Sequence, residues 1–194
     1  MGILQKFSLE NRTAIITGSG RGLGFEIASA FAEAGAHVWL SGRNAETLEQ
    51  AADVLRKAGG KADYAAFDIA DTAAGSALVR RIMDETGHLD ILVNNVGARD
   101  RRPLAEFSDE DVLELIRTDL TSSVSLSRDA AEAMNINGYG RIITITSILG
   151  HIVRPGDAIY PVAKQGLTGL MRAIAVEYGA RGITSNAIAP GLFA

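Results

Sequence analysis

A doubly wound α/β fold, an open parallel sheet with helices on both faces, is the class that this sequence predicts. Three observations carry the expectation. A glycine-rich turn, Thr17-Gly18-Ser19-Gly20-Arg21-Gly22-Leu23-Gly24, joins the apolar run Ala14-Ile15-Ile16 to a helical pattern through Ile27, Ala30, Phe31 and Ala34. Apolar strand-like runs then alternate with helical stretches along the chain, as in a parallel sheet buried on both faces. The 194 residues are 47% apolar, enough to bury a core as one globular domain spanning 1–194.

Strands are expected near 13–17, 37–41, 62–66, 90–94, 141–146 and 184–188, and helices near 23–34, 45–58, 72–86, 109–135 and 159–180. Ala58-Gly59-Gly60 and Gly87 are suited to ending helices. Ser108 followed by Asp111 has the form of a capping box, with Asp in the place of Glu, ahead of Val112, Leu115 and Ile116.

Composition narrows the function. The net charge of −4 gives no basic field to attract nucleic acid or a membrane surface. With no cysteine there is no disulfide framework, thiol nucleophile or Cys-based metal site, and no metal is expected. The start, Met1-Gly2-Ile3-Leu4-Gln5-Lys6-Phe7, lacks the apolar core of a signal peptide, and Lys6 stands where myristoylation of Gly2 wants Ser or Thr. No run approaches transmembrane length. A soluble, cytoplasmic protein is the expectation.

Strand, glycine turn and helix in that order form the first unit of a dinucleotide-binding, Rossmann-like fold. Gly18 permits the tight turn, Gly22 lets the backbone approach a pyrophosphate, and Gly24 lets helix and strand pack closely. The helix then aims its unpaired N–H groups and positive dipole end at the phosphates. Ser19, Arg21 and Leu23 complete the candidate phosphate-binding turn.

The spacing Gly-x-x-x-Gly-x-Gly, followed by Asn94-Asn95-Val96-Gly97, Ser147, Tyr160-x-x-x-Lys164 and Pro190-Gly191, resembles the short-chain dehydrogenase/reductase family over nearly the whole chain. That resemblance, with right-handed crossovers, implies the strand order 3-2-1-4-5-6. It also implies a homo-oligomer, a tetramer or dimer, packed through the helices near 109–135 and 159–180, where Ala130, Ala131 and Ala133 would allow close approach. Members of the family continue past Pro-Gly into a substrate-covering segment and a final strand. This sequence stops at Ala194, and a longer natural chain is expected.

Tyr160 and Lys164, four apart on one expected helix, share a face. The resemblance makes the tyrosine a general acid/base, and the lysine a partner that holds the nicotinamide ribose and lowers the phenol pKa. A free phenol titrates near ~10, so work near neutrality requires about 3–4 kcal/mol of stabilisation. A cation about 5–6 Å away supplies roughly 3 kcal/mol at an effective dielectric of ~20. An isolated Tyr–Lys pair is also an ordinary surface pair. Ser147 bears on that choice, because a hydroxyl at a strand's carboxyl end points into the crevice where ligands of open α/β sheets sit. Alone, such a Ser is a common turn or cap residue. Asp119 stands in Thr118-Asp119-Leu120 where the family has Asn as a fourth catalytic member anchoring a proton-relay water. A carboxylate facing Lys164 would offset part of the lysine's effect on Tyr160.

Cofactor choice is read at the end of the second expected strand, where NAD-binding relatives place an acid for the ribose hydroxyls. Ser41-Gly42-Arg43 has none, and Arg43 with Arg21 suits a 2′-phosphate, so NADP (NADPH) is favoured over NAD. Arg43 alone could be a solvated loop charge, and the missing acid is the stronger signal. By resemblance, Asp68 and Ile69 contact adenine. Asn94 and Gly97 lie beside the cofactor, although Asn94 could instead brace the sheet. Ile188, Pro190 and Gly191 lie where the family grips the carboxamide. Arg101 and the following Pro103-Leu104-Ala105-Glu106-Phe107, with Asn44-Ala45-Glu46 after Gly-Arg, resemble gluconate 5-dehydrogenase-type members, and the basic loop of Arg99, Arg101 and Arg102 could bind a sugar-acid carboxylate. Solvated arginines are the commoner outcome. His151, between Ser147 and Tyr160, is a weaker candidate for the small-molecule substrate pocket. The resulting expectation is an NADP-dependent oxidoreductase interconverting a secondary alcohol and a ketone on a sugar acid or polyol. The alternatives are a 3-oxoacyl-carrier-protein reductase and a non-catalytic NADP-binding scaffold.

Overall fold

The computed structural model describes residues 3–191, the side chain of Leu4 excepted. The elements are β1 (Thr13–Thr17), α1 (Gly22–Glu33), β2 (His37–Gly42), α2 (Ala45–Lys57), β3 (Lys61–Ala66), α3 (Thr72–Thr86), β4 (Ile91–Asn94), α4 (Asp109–Ile116), α5 (Ser122–Asn137), β5 (Gly140–Ile145), α6 (Tyr160–Tyr178) and β6 (Ile183–Ile188). The six strands pair in parallel in the order β3-β2-β1-β4-β5-β6. The winding reverses between β1 and β4, so the crevice of an open sheet falls at their carboxyl ends.

Alternation along the strands separates two cores. Ile15, Trp39, Leu92 and Ile142 pack on one face with Leu78 and Ile82 of α3, Leu126 and Met134 of α5, and Ile174 of α6. Ala14, Ile16, Val38, Leu40 and Val93 pack on the other with Ala28 of α1 and Leu48, Ala52 and Leu55 of α2. Each buried Leu, Ile or Met contributes about 1.5–3 kcal/mol, and this double burial explains the nearly continuous apolar runs of the central strands. The Ser108–Asp111 capping box forms as expected, with Ser108 Oγ accepting from Asp111 N at 3.2 Å and Asp111 Oδ2 accepting from Ser108 N at 3.0 Å.

Two expectations are corrected. The helix expected over 109–135 is interrupted by a π-helical turn, Arg117–Thr121, between α4 and α5. Hydroxyls just beyond it turn back onto the main chain, Ser122 Oγ to the Thr118 carbonyl at 2.5 Å and Ser123 Oγ to the Asp119 carbonyl at 3.3 Å. Such back-bonding competes with regular helix geometry. Ala130, Ala131 and Ala133, expected between subunits, are buried in this chain's own core, because that side of α5 faces the sheet. Ala194, to which the expectation of a longer chain attached, lies outside the described residues. No helix among the described residues is long and apolar enough to cross a membrane.

Candidate active site

Ser147 follows the end of β5 in extended conformation, and its Oγ accepts from Leu149 N at 3.1 Å, capping a 3-10 turn at Ile148–Gly150. Its hydroxyl also faces the phenol of Tyr160, the first residue of α6, and favours the phenolate. One turn on, the buried Lys164 directs Nζ to the Ile145 carbonyl at 3.3 Å and to within 5.4 Å of the Tyr160 ring centroid. Strand end and helix start therefore bring hydroxyl, phenol and ammonium together at the carboxyl edge of the sheet.

The π-helical turn delivers Asp119 to the same place. Its side chain is fully buried, and Oδ1 accepts from Ala98 N at 2.6 Å. Oδ2 is buried with no hydrogen-bond partner among the described residues. A Cβ added at Gly97 would lie 2.7 Å from Lys164 Nζ and 3.6 Å from Asp119 Oδ2, so glycine here lets the two charged groups approach.

Burial dominates the titration of this cluster. It pushes the Asp119 carboxyl up, against the Ala98 N–H and the Lys164 charge. It pushes the Lys164 ammonium down, against Asp119. It also pushes the Tyr160 phenol up, aided by the Asp119 and Asp157 carboxylates and opposed by the Ser147 hydroxyl and the Arg99 guanidinium. The expected lowering of the phenol is thus not met in the protein alone, because its partial burial outweighs the Ser147 hydroxyl and the Arg99 guanidinium.

An acid whose folded pKa is raised favours the folded state at low pH and opposes it once pH passes the folded value. Asp119→Asn is therefore expected to raise stability at pH 7–8 by about 1–2 kcal/mol, the usual scale of an unsatisfied buried polar group. Denaturant melts across pH should show that gain shrinking toward the ordinary Asp range. Loss of stability at pH 7–8 would mean that the Lys164–Asp119 attraction outweighs burial. Removing this carboxylate should also move the phenol pKa down, with activity equal or higher.

The glycine turn lies across the crevice. Gly18 and Gly22 have φ of +63° and +58°, a backbone region that favours glycine. A Cβ at Gly24 would lie 2.6 Å from Asn95 Nδ2 and 2.9 Å from the Gly18 carbonyl carbon. Arg21 is the N-cap of α1 without a side-chain cap bond, so the first N–H groups of α1 are left for a ligand such as a pyrophosphate. No atom lies within 4 Å of a Cβ at Gly22, which leaves the turn open to such a ligand. Leu23 is 38% exposed beside it. Ser19 is turned inward instead: its Oγ donates to the Ile16 carbonyl at 2.7 Å and accepts from Ser41 N at 3.1 Å, joining β1 to β2.

Arg43 is exposed directly after β2. Asp68 follows β3, with Oδ1 accepting from Ala70 N at 2.9 Å, and Ile69 packs on the core. Asn94 is buried at the end of β4 and donates to Ser127 Oγ at 2.8 Å and to Thr144 Oγ1 at 3.5 Å, a brace between sheet and α5. The Pro190 carbonyl accepts from Ile148 N at 3.1 Å, which seats Pro190-Gly191 beside Ser147.

Of the candidate substrate arginines, Arg99 is held by both oxygens of Asp157, and Arg102 by Asp100 and Asp111 at 2.8 and 2.9 Å. Arg101 is exposed and makes no hydrogen bond or ion pair among the described residues. His151 is exposed, with Nδ1 at 3.4 Å from Gln165 Nε2.

Sequence reasoning missed Thr17, Asn95 and Asp157. Thr17 Oγ1 accepts from Asn95 N and Val96 N at 2.9 and 3.2 Å, while Asn95 Nδ2 donates to the Thr17 and Gly18 carbonyls at 2.9 and 3.3 Å. These bonds tie the glycine turn to the loop after β4. The paired Asn94-Asn95 after an apolar run was the available signal for Asn95; nothing local links Asp157 to Arg99.

Comparison with known proteins agrees with this geometry. The family model described as short chain dehydrogenase matches residues 12–194. A gluconate 5-dehydrogenase of Gluconobacter oxydans is 38% identical over 97% of this chain and 73% of its own length. The 3-oxoacyl-[acyl-carrier-protein] reductase FabG of Escherichia coli is 37% identical over 95% and 74%. The crystal structure of a gluconate 5-dehydrogenase from Burkholderia cenocepacia in complex with NADP and tartrate superposes with a TM-score of 0.94 at 36% identity, covering 100% of this chain and 76% of that one. With the family matched over almost its full length, this chain belongs to the short-chain dehydrogenases, oxidoreductases acting on CH–OH groups.

Proposed function

We propose that this protein is an NADP-dependent dehydrogenase/reductase that interconverts a secondary alcohol and a ketone on a sugar acid or related polyol. The convergence of Ser147, Tyr160 and Lys164 beside an open glycine turn, at the sheet's switch point, carries this reading. Bound NADP supplies the hydride exchange. The backbone of Gly18–Gly24 would hold its pyrophosphate, Arg21 and Arg43 the 2′-phosphate, Asp68 and Ile69 the adenine, Asn94, Gly97 and Lys164 the ribose side, and Pro190-Gly191 the carboxamide. Ser147 hydrogen-bonds the substrate oxygen, and Tyr160 takes the hydroxyl proton in oxidation or returns it in reduction. A homo-oligomer belongs to the same reading, supported by exposed Val124 and Ile136 on α5 and Val162 and Val176 on α6. So does a cytoplasmic location, which the cysteine-free composition permits.

The sugar-acid assignment rests on the gluconate 5-dehydrogenases among relatives and solved structures, and Arg101 is the cation left to meet a carboxylate. The comparable identity to 3-oxoacyl-carrier-protein reductases supports that activity as the second reading. Rates of NADPH oxidation over keto sugar acids, neutral polyol ketones and 3-oxoacyl thioesters decide between them. The sugar acid is expected to have the highest kcat/KM, and a thioester maximum favours the second reading.

NADPH is expected to bind about one to two decades more tightly than NADH at low ionic strength. A charge-assisted bond to the 2′-phosphate contributes about 1.5–3 kcal/mol before solvent and salt reduce it. Gly42→Asp should narrow or reverse the preference, because its carboxylate repels a phosphate and accepts from a free 2′-hydroxyl. Equal or tighter NADH binding by the unmodified protein would return Arg43 to an ordinary loop charge.

A further inference from the structure

We propose that Arg99 and Asp157 are positioning residues for Tyr160, a closed ion pair between the loop after β4 and the loop before α6 that holds two opposite, mutually offsetting charges beside the phenol. Arg99 Nε donates to Asp157 Oδ1 at 2.7 Å and Nη2 donates to Oδ2 at 2.5 Å, so both carboxylate oxygens are engaged. The carboxylate is 4% exposed and the guanidinium 24%. A parallel bridge between Arg102 and Asp157 joins the same two loops through their backbones. Asp157 lies three residues before Tyr160, and Arg99 Cζ is 5.5 Å from the Tyr160 ring centroid.

A buried ion pair is weak evidence for stability, since well-packed apolar replacements often do as well. Its position matters here. The charged groups facing the Tyr160 side chain are Asp119 from the π-helical turn, Lys164 from α6 at 5.4 Å from the ring centroid, Arg99 from the loop after β4 and Asp157 from the loop before α6, with the Ser147 hydroxyl from the end of β5. Asp157 is in turn faced by Arg99, Arg101 and Arg154, the last at 3.9 Å. Guanidinium favours the phenolate and carboxylate opposes it, so the intact pair leaves Tyr160 nearly free of either field. The pair also occupies Arg99, so a substrate anion finds no open cation at that position.

This inference rests on Tyr160 as the proton carrier, but its test reads the phenol without substrate. Tyr160 is titrated by tyrosinate ultraviolet difference absorbance in the full chain, with Tyr160→Phe in the same background as the subtraction. Asp157→Asn should lower its pKa by about half to one pH unit, and Arg99→Gln should raise it by a similar amount, the scale of one charge at this range in a partly screened site. Arg99→Lys and the double variant R99Q/D157N should titrate close to wild type. Circular dichroism checks that each variant folds. A clamp without an electrostatic role would let water in when either partner is lost, relieve the phenol's burial, and move both single variants downward. A shared direction, or no shift in either, overturns the proposal. Retained activity in Tyr160→Phe with the opposite shifts intact would count against the catalytic reading instead.

Discussion

Tyr160→Phe is expected to lower turnover by a factor of about 10²–10⁴, the usual contribution of a positioned general acid/base. The substitution removes one oxygen, the one beside the Ser147 hydroxyl, and leaves the ring beside Lys164 in place. Lys164 keeps its hold on the Ile145 carbonyl, and the glycine turn is untouched. NADPH affinity, read by fluorescence titration, should therefore stay within a few-fold of wild type while the rate of NADPH oxidation falls. Activity within tenfold of wild type in a folded variant would remove Tyr160 from the proton step.

Gly24→Ala is expected to combine a loss of about 1–3 kcal/mol in stability with a weakening of NADPH binding of at least about tenfold. The new methyl would meet the Gly18 carbonyl and Asn95 Nδ2, and neither is the loose end of a flexible side chain. Asn95 is pinned by its bonds to the Thr17 and Gly18 carbonyls, so relief must come from moving the turn itself. Gly138→Ala, just after α5 and at the sheet edge opposite the crevice, is the control. Its Cβ meets nothing within 4 Å, and its cost is the left-handed backbone at φ +64°, roughly 1–2 kcal/mol. Thermal melts and NADPH titration of both variants test the difference. Equal NADPH affinity in the two would show that close packing at Gly24 does not shape the turn.

The strands and the positions of the glycine turn, Ser147, Tyr160 and Lys164 were legible because each depends on short-range pattern, whereas the strand order followed from the resemblance together with right-handed crossovers. Apolar runs, turn glycines and a four-residue helical spacing survive any tertiary arrangement. The interruption at Arg117–Thr121 was not legible, since the apolar spacing of Val112, Leu115 and Ile116 leads into Leu120 and Leu126 without a glycine or proline. Ala130, Ala131 and Ala133 suit a subunit contact and a core equally well, and only packing against the sheet distinguishes the two. Lys164 at the fourth position after Tyr160 announced a nearby cation, but the burial that pushes the phenol up arises from chain segments far apart in sequence. Arg99 and Asp157, 58 residues apart, meet only because β4 and β5 are neighbours and both loops leave the same sheet edge.

The central claim is that Tyr160 supplies the proton at this crevice, where bound NADPH would supply the hydride. Its most direct test uses NADPH deuterated at the transferring C4 position with the fastest ketone of the substrate panel, followed by mass spectrometry of the alcohol formed. The account predicts one deuteron on the carbinol carbon with the wild-type protein and little or none with Tyr160→Phe under equal NADPH saturation. Tight NADPH binding with no deuterium transfer to any member of the panel would contradict it, and would leave a dinucleotide-binding scaffold in its place.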